Sequence, residues 1–427
     1  MRSRQVWAWC LFDFANSSYT TLIVTVAFAI YFREAVVDAA DNRGDRLWGI
    51  ANFLAMLLVA AVSPFVGALA DYAGRRKALL VGSTLLTVCA TASLVLVGPG
   101  DVALGMALFV LGTVGFEAGY VFYNSFLPDV STPATIGRIS GWGWAVGYLG
   151  GLLSLLACLP LLAEPLRDAA GALVPSALAA RRVSFLVVAA FYLFFALPAF
   201  LWLREAPAQG RLAAPGEALA VGFRRVRRTL SRLERHREAA KFVLASLFFT
   251  DGISTVISFS AIYATVTFGF SSAEVVALFV VLNVVAFPGA LASGYLADRI
   301  GPRRTLLLTL LLWVAVVLAG ALAAGRGTFW AMACGAAIGM GATQAVSRSF
   351  MAQISPRDRE AEFFGFFVLA GKFAAMFGPL VFGLVSAGTG SQRAAVLSLL
   401  PFFLAGLGLV ASIDEAAAIR DAERAGA

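Results

Sequence analysis

The chain has 427 residues, of which 60% are hydrophobic and only 14% are charged, and its mean hydropathy is +0.84. Soluble globular proteins are about 45 to 50% apolar, so the composition excludes an ordinary soluble protein. The formal net charge of +8 raises nucleic acid as a partner, but the placement of the basic residues, described below, argues against it.

Twelve apolar runs predict the membrane segments, because a helix needs about 20 apolar residues to cross a bilayer. Backbone groups inside lipid must be hydrogen-bonded within a helix or a closed barrel, and continuous rather than alternating hydrophobicity favours helices. The predicted fold is therefore an all-α polytopic membrane protein. The runs, numbered as helices 1 to 12, are 7–32, 48–70, 78–97, 103–125, 139–162, 183–203, 242–266, 274–297, 305–323, 328–350, 362–386 and 391–412.

The runs form two sets of six around a polar centre. This arrangement predicts an N-terminal six-helix bundle at 1–203, a cytoplasmic linker at 204–241, a C-terminal six-helix bundle at 242–412 and a cytoplasmic tail at 413–427. The linker is basic and has helical spacing, which is typical of an amphipathic helix on the anionic inner leaflet. A regulatory or partner-binding linker is the alternative.

The basic residues sort by side of the membrane. Of the 33 Lys and Arg, 23 lie at the termini or in even-numbered connections and 8 in odd-numbered connections. The positive-inside rule then places both termini in the cytoplasm. Such sorting explains the positive charge without nucleic acid, and the preference for Arg over Lys favours a bacterial protein of the inner membrane.

Neither a metal nor another cofactor is expected. The four cysteines are each alone in an apolar run, and His236, the only histidine, lies in the linker. No phosphate-binding GxxxxGK[ST] motif occurs, so ATP hydrolysis is not expected either. An intramembrane enzyme would need a nucleophile with a base or a metal set, and the helices offer neither.

Helix 1 begins with an unusually polar stretch, WAWCLFDFANSSYTT. Asp13, Asn16 and Thr20 follow i, i+3, i+7 spacing and therefore share one face. Polar and ionisable groups at lipid depth are expensive unless they face a bundle interior or water. We therefore predict a solute-facing or ion-coupling site here, with an interfacial cap on helix 1 as the alternative.

A charged motif follows helix 2 and returns after helix 8. The segment GALADYAGRRK starts at Gly67 and GYLADRIGPRR starts at Gly294, so the chain is a duplication. The leading glycines allow a close helix approach, the second glycines suit a tight turn, and the arginines are expected to stay in water beside lipid headgroups. The predicted gate residues are Gly67, Asp71, Gly74, Arg75, Arg76, Gly294, Asp298, Gly301, Arg303 and Arg304.

Helices 4 and 5 carry further candidates. Glu117 lies about two thirds of the way along helix 4 and Asn124 follows near its end, so Glu117 is the first candidate for a proton-titrating group. A protonated Glu that only links helices is the alternative. Helix 5 is rich in glycine, which suits tight packing or sliding, and its Tyr148 aligns with Lys372 of helix 11 under the duplication.

The second half adds four candidate residues. Asp251 lies about nine residues into helix 7, and Lys372 about ten residues into helix 11. A lysine near mid-membrane needs a partner or must lose its charge. Gln344 and Arg348 share a face of helix 10 near its cytosolic end, where Arg348 either takes part in gating or substrate binding or extends to the interface.

The repeated motif resembles the signature loop of the major facilitator superfamily. Further stretches resemble one branch, the unidentified major facilitator or autophagy-related vacuolar effluxer-like family: WAWCLFDFANSSYTT, YNSFLPDVS, GWGWAVGYLGG, TDGISTVIS, QAVSRSFMAQISP and EFFGFFVLAGKFAAMFGPLVFG. The resemblance implies a two-bundle transport fold, and the association of fungal members with amino-acid export from the vacuole implies a substrate class. A short linker and Tyr72, where many relatives are basic, are departures.

Together these features predict a secondary transporter that moves a small polar solute, amino acids or peptides, by alternating access with H⁺ coupling. It is expected to act as a monomer, not as an enzyme. A non-transporting receptor or scaffold, and an uncoupled facilitator of a sugar or drug, are the alternatives. Opposite charges on Asp13, Glu117, Asp251, Arg348 and Lys372 suit both ends of a zwitterion.

Overall fold

The computed structural model describes residues 2–37, 43–73, 75–168, 170–205, 236–356, 359–374 and 377–425. Within the helices, the structure does not describe the side chains of 2, 45, 60–69, 71–73, 262, 272–273, 276, 372–374 and 424–425. The described elements are helical apart from one isolated bridge between Arg167 and Leu173. The all-α polytopic fold class predicted from the continuous apolar runs is confirmed.

The membrane segments are numbered α1 to α12, as in the sequence. They are α1 Arg2–Ser18, α2 Arg43–Ala73, α3 Arg76–Ser93, α4 Val102–Ser125, α5 Ile136–Leu162, α6 Pro175–Trp202, α7 Arg237–Phe268, α8 Ser272–Ile300, α9 Pro302–Leu322, α10 Arg326–Ile354, α11 Glu360–Ala374 and Phe377–Thr389, and α12 Gln392–Leu397 and Leu400–Ala411. A short helix, Leu127–Val130, precedes α5, and α13, Glu415–Ala425, ends the described chain.

Ten of the described helices are long and apolar enough to cross a bilayer. The other two segments contribute shorter apolar stretches, Arg46–Val59 in α2 and Phe377–Thr389 in α11. Large apolar side chains remain exposed along these helices, for example Leu201 at 68% and Phe194 at 66%. Such exposure is unfavourable in water and matches a surface that faces lipid tails.

The first membrane segment is irregular, which the sequence did not predict. After α1 it continues as a π-helix at Tyr19–Val26, a short α-helix at Ala27–Tyr31 and a second π-helix at Phe32–Val36. The Thr25 hydroxyl donates to the carbonyl of Thr20, five residues earlier. Because π-helical turns are rare and occur frequently at functional sites, this segment is a candidate for a functional role.

The contacts divide the chain into two compact units. The first unit comprises Met1–Ser63, Gly74–Phe126 and Val146–Ala208, and the second comprises Pro64–Ala73, Leu127–Ala145 and Gln209–Ala427. The boundary runs through α5. The predicted bundle limits at 203 and 242 stay a prediction, and most of the predicted linker, residues 206–235, lies outside the described residues.

Aromatic residues build the core of each unit. In the first unit the Trp9 and Tyr123 rings stack with centroids 4.6 Å apart, and Trp9 donates to the Tyr123 carbonyl at 3.0 Å. In the second unit Tyr263, Phe270 and Phe329 pack in a buried cluster. Such aromatic pairs stabilise the fold beyond the burial of their apolar surface. They hold together the helices that carry the polar residues described next.

Glycines let α5 approach a helix closely in each unit. In the first unit a side chain on Gly150 would collide with the carbonyl oxygen of Phe14 in α1. In the second unit a Cβ on Gly141 would lie 2.6 Å from the carbonyl oxygen of Ala290 in α8. The glycine-rich sequence of α5 therefore corresponds to tight packing on α1 and α8, as is common where small residues line membrane helix contacts.

Candidate functional site

Asp13 and Asn16 lie one turn apart on α1 and are both buried, with 4% and 5% of their surfaces exposed. The Asn16 amide approaches the Asp13 carboxylate at 3.5 Å, the long limit of a hydrogen bond. The Ser17 hydroxyl donates to the backbone carbonyl of Asp13 at 2.8 Å. These polar groups lie next to Gly147 of α5, where a Cβ would be 3.6 Å from that of Asp13. Asp13 and Asn16, two of the three residues on the polar face predicted for helix 1, are thus packed inward, whereas Thr20 is exposed.

Glu117 of α4 is also buried, with 5% exposure, and lies among tyrosines of the first unit. It is close enough to Tyr19 and Tyr192 to act on both hydroxyls electrostatically. The Tyr19 hydroxyl is 3.0 Å from that of Thr113, one turn before Glu117 on α4. The first unit therefore places a carboxylate and hydroxyl groups in one polar region, which can hold a cationic group or relay a proton.

The same face of α4 continues to Asn124, which is 1% exposed. Neither its amide nitrogen nor its amide oxygen has a hydrogen-bond partner among the described residues. A buried amide without partners is costly, so Asn124 offers a donor and an acceptor to a bound molecule. Tyr148 of α5 also lies in the first unit and is half-buried.

Asp251 of α7 is fully buried in the second unit. Its Oδ1 accepts a hydrogen bond from the backbone N–H of Gly378 at 2.8 Å, at the start of the second stretch of α11. The Thr255 hydroxyl donates to the Asp251 carbonyl one turn later on α7. The carboxylate therefore links two helices.

Arg348 of α10 is 1% exposed. Its Nε donates to the Ser140 hydroxyl at 3.0 Å and its Nη2 to the Ser140 carbonyl at 2.7 Å. Its guanidinium also lies over the Trp144 ring, 5.3 Å from the centroid. The side chain is held inside the second unit by α5 rather than extended to solvent. Gln344, one turn earlier on α10, is half-buried.

Lys372 lies in the first stretch of α11, but its side chain is outside the described part of the structure. Its predicted role in solute binding or coupling stays a prediction. No group of three or more His, Cys, Asp or Glu side chains arranged to hold a metal ion occurs in the described residues.

The second copy of the charged motif holds the beginning of α5. Asp298 accepts from the backbone N–H groups of Gly137 at 2.8 Å and Arg138 at 3.2 Å, and its Oδ2 lies 3.5 Å from Arg138 Nε. A carboxylate at a helix N-terminus satisfies N–H groups that have no partner in the helix and interacts favourably with the helix dipole. A Cβ on Gly294 would lie 2.6 Å from the Gly137 carbonyl, so glycine permits this approach.

Two of the motif's arginines differ from the prediction. Arg76 was expected to stay in water, but it is 6% exposed, donates to the Ser125 carbonyl at 2.8 Å and lies over the Phe126 ring. Arg303 is half-buried and donates to the carbonyls of Val410 and Ala411. The last carbonyls of a helix lack intrahelical donors, and these arginines supply them at the ends of α4 and α12.

The other motif residues fall into three groups. Arg75 and Arg304 are exposed, as predicted. Gly301 has a φ of +90°, as expected for a turn glycine. In the first copy, Gly67 and Asp71 lie in α2 with their side-chain surroundings outside the description, and Gly74 lies outside the described residues.

Sequence reasoning missed the partners of the charged residues. Ser140 and Trp144 hold Arg348, Gly378 holds Asp251, and Thr113 and Tyr192 accompany Glu117. Thr113 had a usable signal, because it lies four residues before Glu117 and thus on the same helix face. The others are far apart in the chain, and each is brought to its partner only by the packing of helices.

Comparison with known proteins gives the family. Residues 50–423 match the family model described as "Vacuole effluxer Atg22 like". The chain is 27% identical over 415 residues to an uncharacterized MFS-type transporter, YxiO, of Bacillus subtilis, covering 97% of this chain and 95% of that protein. It is 24% identical over 484 residues to autophagy-related protein 22-1 of Penicillium rubens, covering 93% and 79%.

Solved structures show the same fold. The major facilitator transporter FucP in an outward conformation superposes with a TM-score of 0.76 at 16% identity, covering 97% of this chain and 98% of that one. The proton:xylose symporter XylE superposes with a TM-score of 0.75 at 12% identity, covering 96% and 94%. The chain is thus a major facilitator transporter and belongs to the Atg22-like vacuole effluxer family.

Proposed function

We propose that this transporter moves a small zwitterionic solute, with amino acids as the first class and short peptides as the second, by alternating access coupled to protons. It acts as a monomer in a bacterial inner membrane, with both termini in the cytoplasm and its basic linker on anionic lipids. The sorting of basic residues supports this orientation.

Charged side chains buried in membrane helices carry this proposal. Asp13 and Glu117 in the first unit and Asp251 and Arg348 in the second are each at most 5% exposed. Ionisable groups at this depth are expensive and mark substrate or ion pathways. A zwitterion carries an ammonium group that suits carboxylates and a carboxylate that suits a guanidinium, so a mixed set of charges favours this solute class over a neutral sugar.

The polar region around Glu117 is the part assigned to the solute. It offers a carboxylate, the hydroxyls of Tyr19, Tyr192 and Thr113, and the unpartnered amide of Asn124, all within the first unit. A carboxylate among hydroxyls can bind an ammonium group or exchange a proton with it. Glu117 is therefore the first residue to test.

The test is counterflow in proteoliposomes, preloaded separately with unlabelled leucine, glutamine, lysine or aspartate and given the radiolabelled form outside. We expect exchange of at least one of these solutes by the parent. Glu117→Gln keeps the size of the side chain but removes its charge. It should lower the exchange rate about tenfold, which corresponds to the loss of about 1.4 kcal/mol of interaction with the solute. A pH gradient with the more acidic side outside the proteoliposomes should drive accumulation of the solute by the parent but not by Glu117→Gln.

The matched control is Glu164→Gln, because Glu164 is exposed in the connection between α5 and α6 and accepts a hydrogen bond from Ser176. Exchange should be unchanged in this variant. Absence of exchange for every solute would favour the receptor or scaffold reading, and exchange without gradient-driven accumulation would identify an uncoupled facilitator. Unchanged exchange in Glu117→Gln would remove Glu117 from the site.

A further inference from the structure

The carboxylate of Asp251 has two oxygen atoms in different surroundings. Asp251 lies 14 residues after the first residue of α7, or about 21 Å along the helix axis at 1.5 Å per residue. Its Oδ1 accepts from the Gly378 N–H at 2.8 Å, and the Phe377 N–H also acts on the carboxylate. Its Oδ2 is buried and has no hydrogen-bond partner among the described residues.

The partner of Oδ1 belongs to α11, in its described stretch Phe377–Thr389. Pro379 follows Gly378 directly and has no N–H of its own, so Gly378 offers the last N–H before the proline. Position 378 must be glycine, since a side chain there would collide with the Thr255 hydroxyl and lie 2.8 Å from Asp251 Oδ1.

One acceptor is enough to hold this helix, yet the residue supplies two. The amide oxygen of an asparagine would accept the same N–H groups, whereas an ionised aspartate adds a second oxygen and a full charge. A buried charge of this kind is costly unless a cation or further donors share the site. The unpartnered Oδ2 therefore indicates a ligand with positive charge.

The groups that act on the carboxylate among the described residues are the Gly378 and Phe377 N–H groups. Arg348 on α10 and Lys372 on α11 are the other membrane-depth charges on elements that pack against α7. The side chain of Lys372 is outside the description. The remaining titratable groups on α7 and on these elements are His236, Arg237, Glu238, Lys241, Tyr263, Glu274, Tyr295, Asp298, Arg299, Arg326, Cys334, Glu360, Glu362, Arg393, Glu415, Arg420, Asp421, Glu423 and Arg424.

We propose that Asp251 Oδ2 is the binding site of the coupling proton, while Oδ1 holds α11. A proton taken from water on one side of the membrane neutralises the carboxylate and weakens its hydrogen bond from the Gly378 N–H, because hydrogen bonds to a charged acceptor are the stronger ones. Its release to water on the other side restores the charge and the stronger hydrogen bond. Protonation is thereby linked to the position of the Phe377–Thr389 stretch. This role rests on the proposed proton-coupled transport.

Proton binding is measured first, because it needs no solute. Purified parent and Asp251→Asn are titrated potentiometrically, and the infrared band of protonated carboxylic acid is followed with pH. Asparagine keeps the acceptor for Gly378 but cannot titrate. We expect the variant to bind about one proton fewer per chain and to lose part of the band. Equal titration curves would overturn the proposal, even if the parent transports none of the four amino acids.

The control for this titration is Asp101→Asn. Asp101 accepts the Gly98 N–H at 2.8 Å through Oδ2 in the connection between α3 and α4, so it matches the aspartate-to-glycine bond outside the membrane. The infrared band of buried protonated acid should be unchanged in this variant. A band change equal to that of Asp251→Asn would contradict the assignment.

If Asp251→Asn does not fold, the proposal is tested by chemical modification of the parent protein alone. An apolar carbodiimide reacts with protonated carboxyl groups inside membranes, and peptide mass spectrometry locates the adduct. We expect modification of Asp251 at acid pH that disappears as the pH rises. The absence of an adduct on Asp251 at every pH would overturn the proposal. It would also be overturned if NaCl, but not choline chloride, protected Asp251 from modification, because that result would identify sodium as the ligand.

Transport then tests the coupling. Asp251→Asn should keep counterflow of the solute that the parent exchanges and lose accumulation driven by a pH gradient. Accumulation equal to that of the parent would show that Asp251 only links α7 to α11. Loss of counterflow as well, in a folded variant, would place Asp251 in solute binding and also overturn the proton-site assignment.

Discussion

The guanidinium of Arg348 on α10 donates to both the hydroxyl and the carbonyl oxygen of Ser140 on α5. The Ser140 hydroxyl in turn donates to the Ala345 carbonyl at 2.6 Å, on the turn of α10 that precedes Arg348. One serine thus contacts α10 at two successive turns. This relationship ties the beginning of α5 to the end of α10 within the second unit.

Arg348→Lys should weaken the fold measurably. A lysine keeps the charge, but its compact ammonium lacks the planar fork with which Arg348 contacts both Ser140 oxygens and lies over the Trp144 ring. The loss of one hydrogen bond from a charged group should lower the free energy of unfolding by about 1.5 to 3 kcal/mol. The measurement is denaturant unfolding in detergent, followed by tryptophan fluorescence.

Arg204→Lys is the control for this change, because Arg204 is exposed after the end of α6. Its unfolding free energy should stay within about 0.5 kcal/mol of the parent. An Arg348→Lys variant as stable as the parent would show that the contacts to Ser140 do not stabilise the second unit.

Asp298→Asn should loosen the first turn of α5. The variant removes the negative charge at that N-terminus and the ion pair with Arg138, which together stabilise by up to about 2 kcal/mol. Amide hydrogen exchange of residues 137–141 should therefore accelerate by roughly tenfold or more, as measured by mass spectrometry of peptides from α5.

A matched carboxylate exists at another helix. Asp414 accepts from the Ala417 N–H at 3.0 Å at the start of α13, and Asp414→Asn should accelerate exchange there and leave α5 unchanged. If both variants accelerate exchange throughout the chain, the effect is global instability and not loss of the contact at α5.

Gly150→Ala and Gly82→Ala should have opposite effects. An alanine at 150 forces α5 away from the Phe14 carbonyl, and such overpacking costs about 1 to 3 kcal/mol. A Cβ at 82 has no neighbour within 4 Å, and alanine in a helix interior stabilises by about 0.5 to 1 kcal/mol relative to glycine. Thermal unfolding should show a lower midpoint for Gly150→Ala only. Equal midpoints would mean that α1 and α5 adjust at no cost.

Glu274→Gln should destabilise the beginning of α8 at neutral pH but not at acid pH. Hydrogen bonds from the Ser271 backbone and hydroxyl, and then the charge of Arg326, lower the pKa of the Glu274 carboxyl. A lowered folded-state pKa stabilises above the ordinary pKa, and this contribution is lost as the pH falls through the folded value.

The difference in unfolding midpoint between the parent and Glu274→Gln should therefore be full at neutral pH. It should shrink when the pH falls below 4.5, the ordinary value. A pH-independent difference would mean that the lost hydrogen bonds matter and the charge does not.

The amino-acid pattern was sufficient to predict the membrane helices, the duplication and the family. Continuous apolar runs specify helices because lipid offers the backbone no hydrogen-bond partner, and this holds for each run separately. The turn at Gly301 was also readable, since the second glycine of the motif suits a positive φ. These features depend on neighbours in the chain or on a motif that recurs.

The contacts of the buried charges could not be predicted, because they follow from the packing of helices that are distant in the chain. Ser140 and Arg348 are 208 residues apart, and Asp251 and Gly378 are 127 apart. Helical periodicity predicts which face a charge occupies, but not which turn of another helix lies opposite. Arg76 shows this limit. Its charge predicted exposure to water, but its guanidinium is buried and donates to the Ser125 carbonyl, which is one of the last carbonyls of α4 and lacks an intrahelical donor.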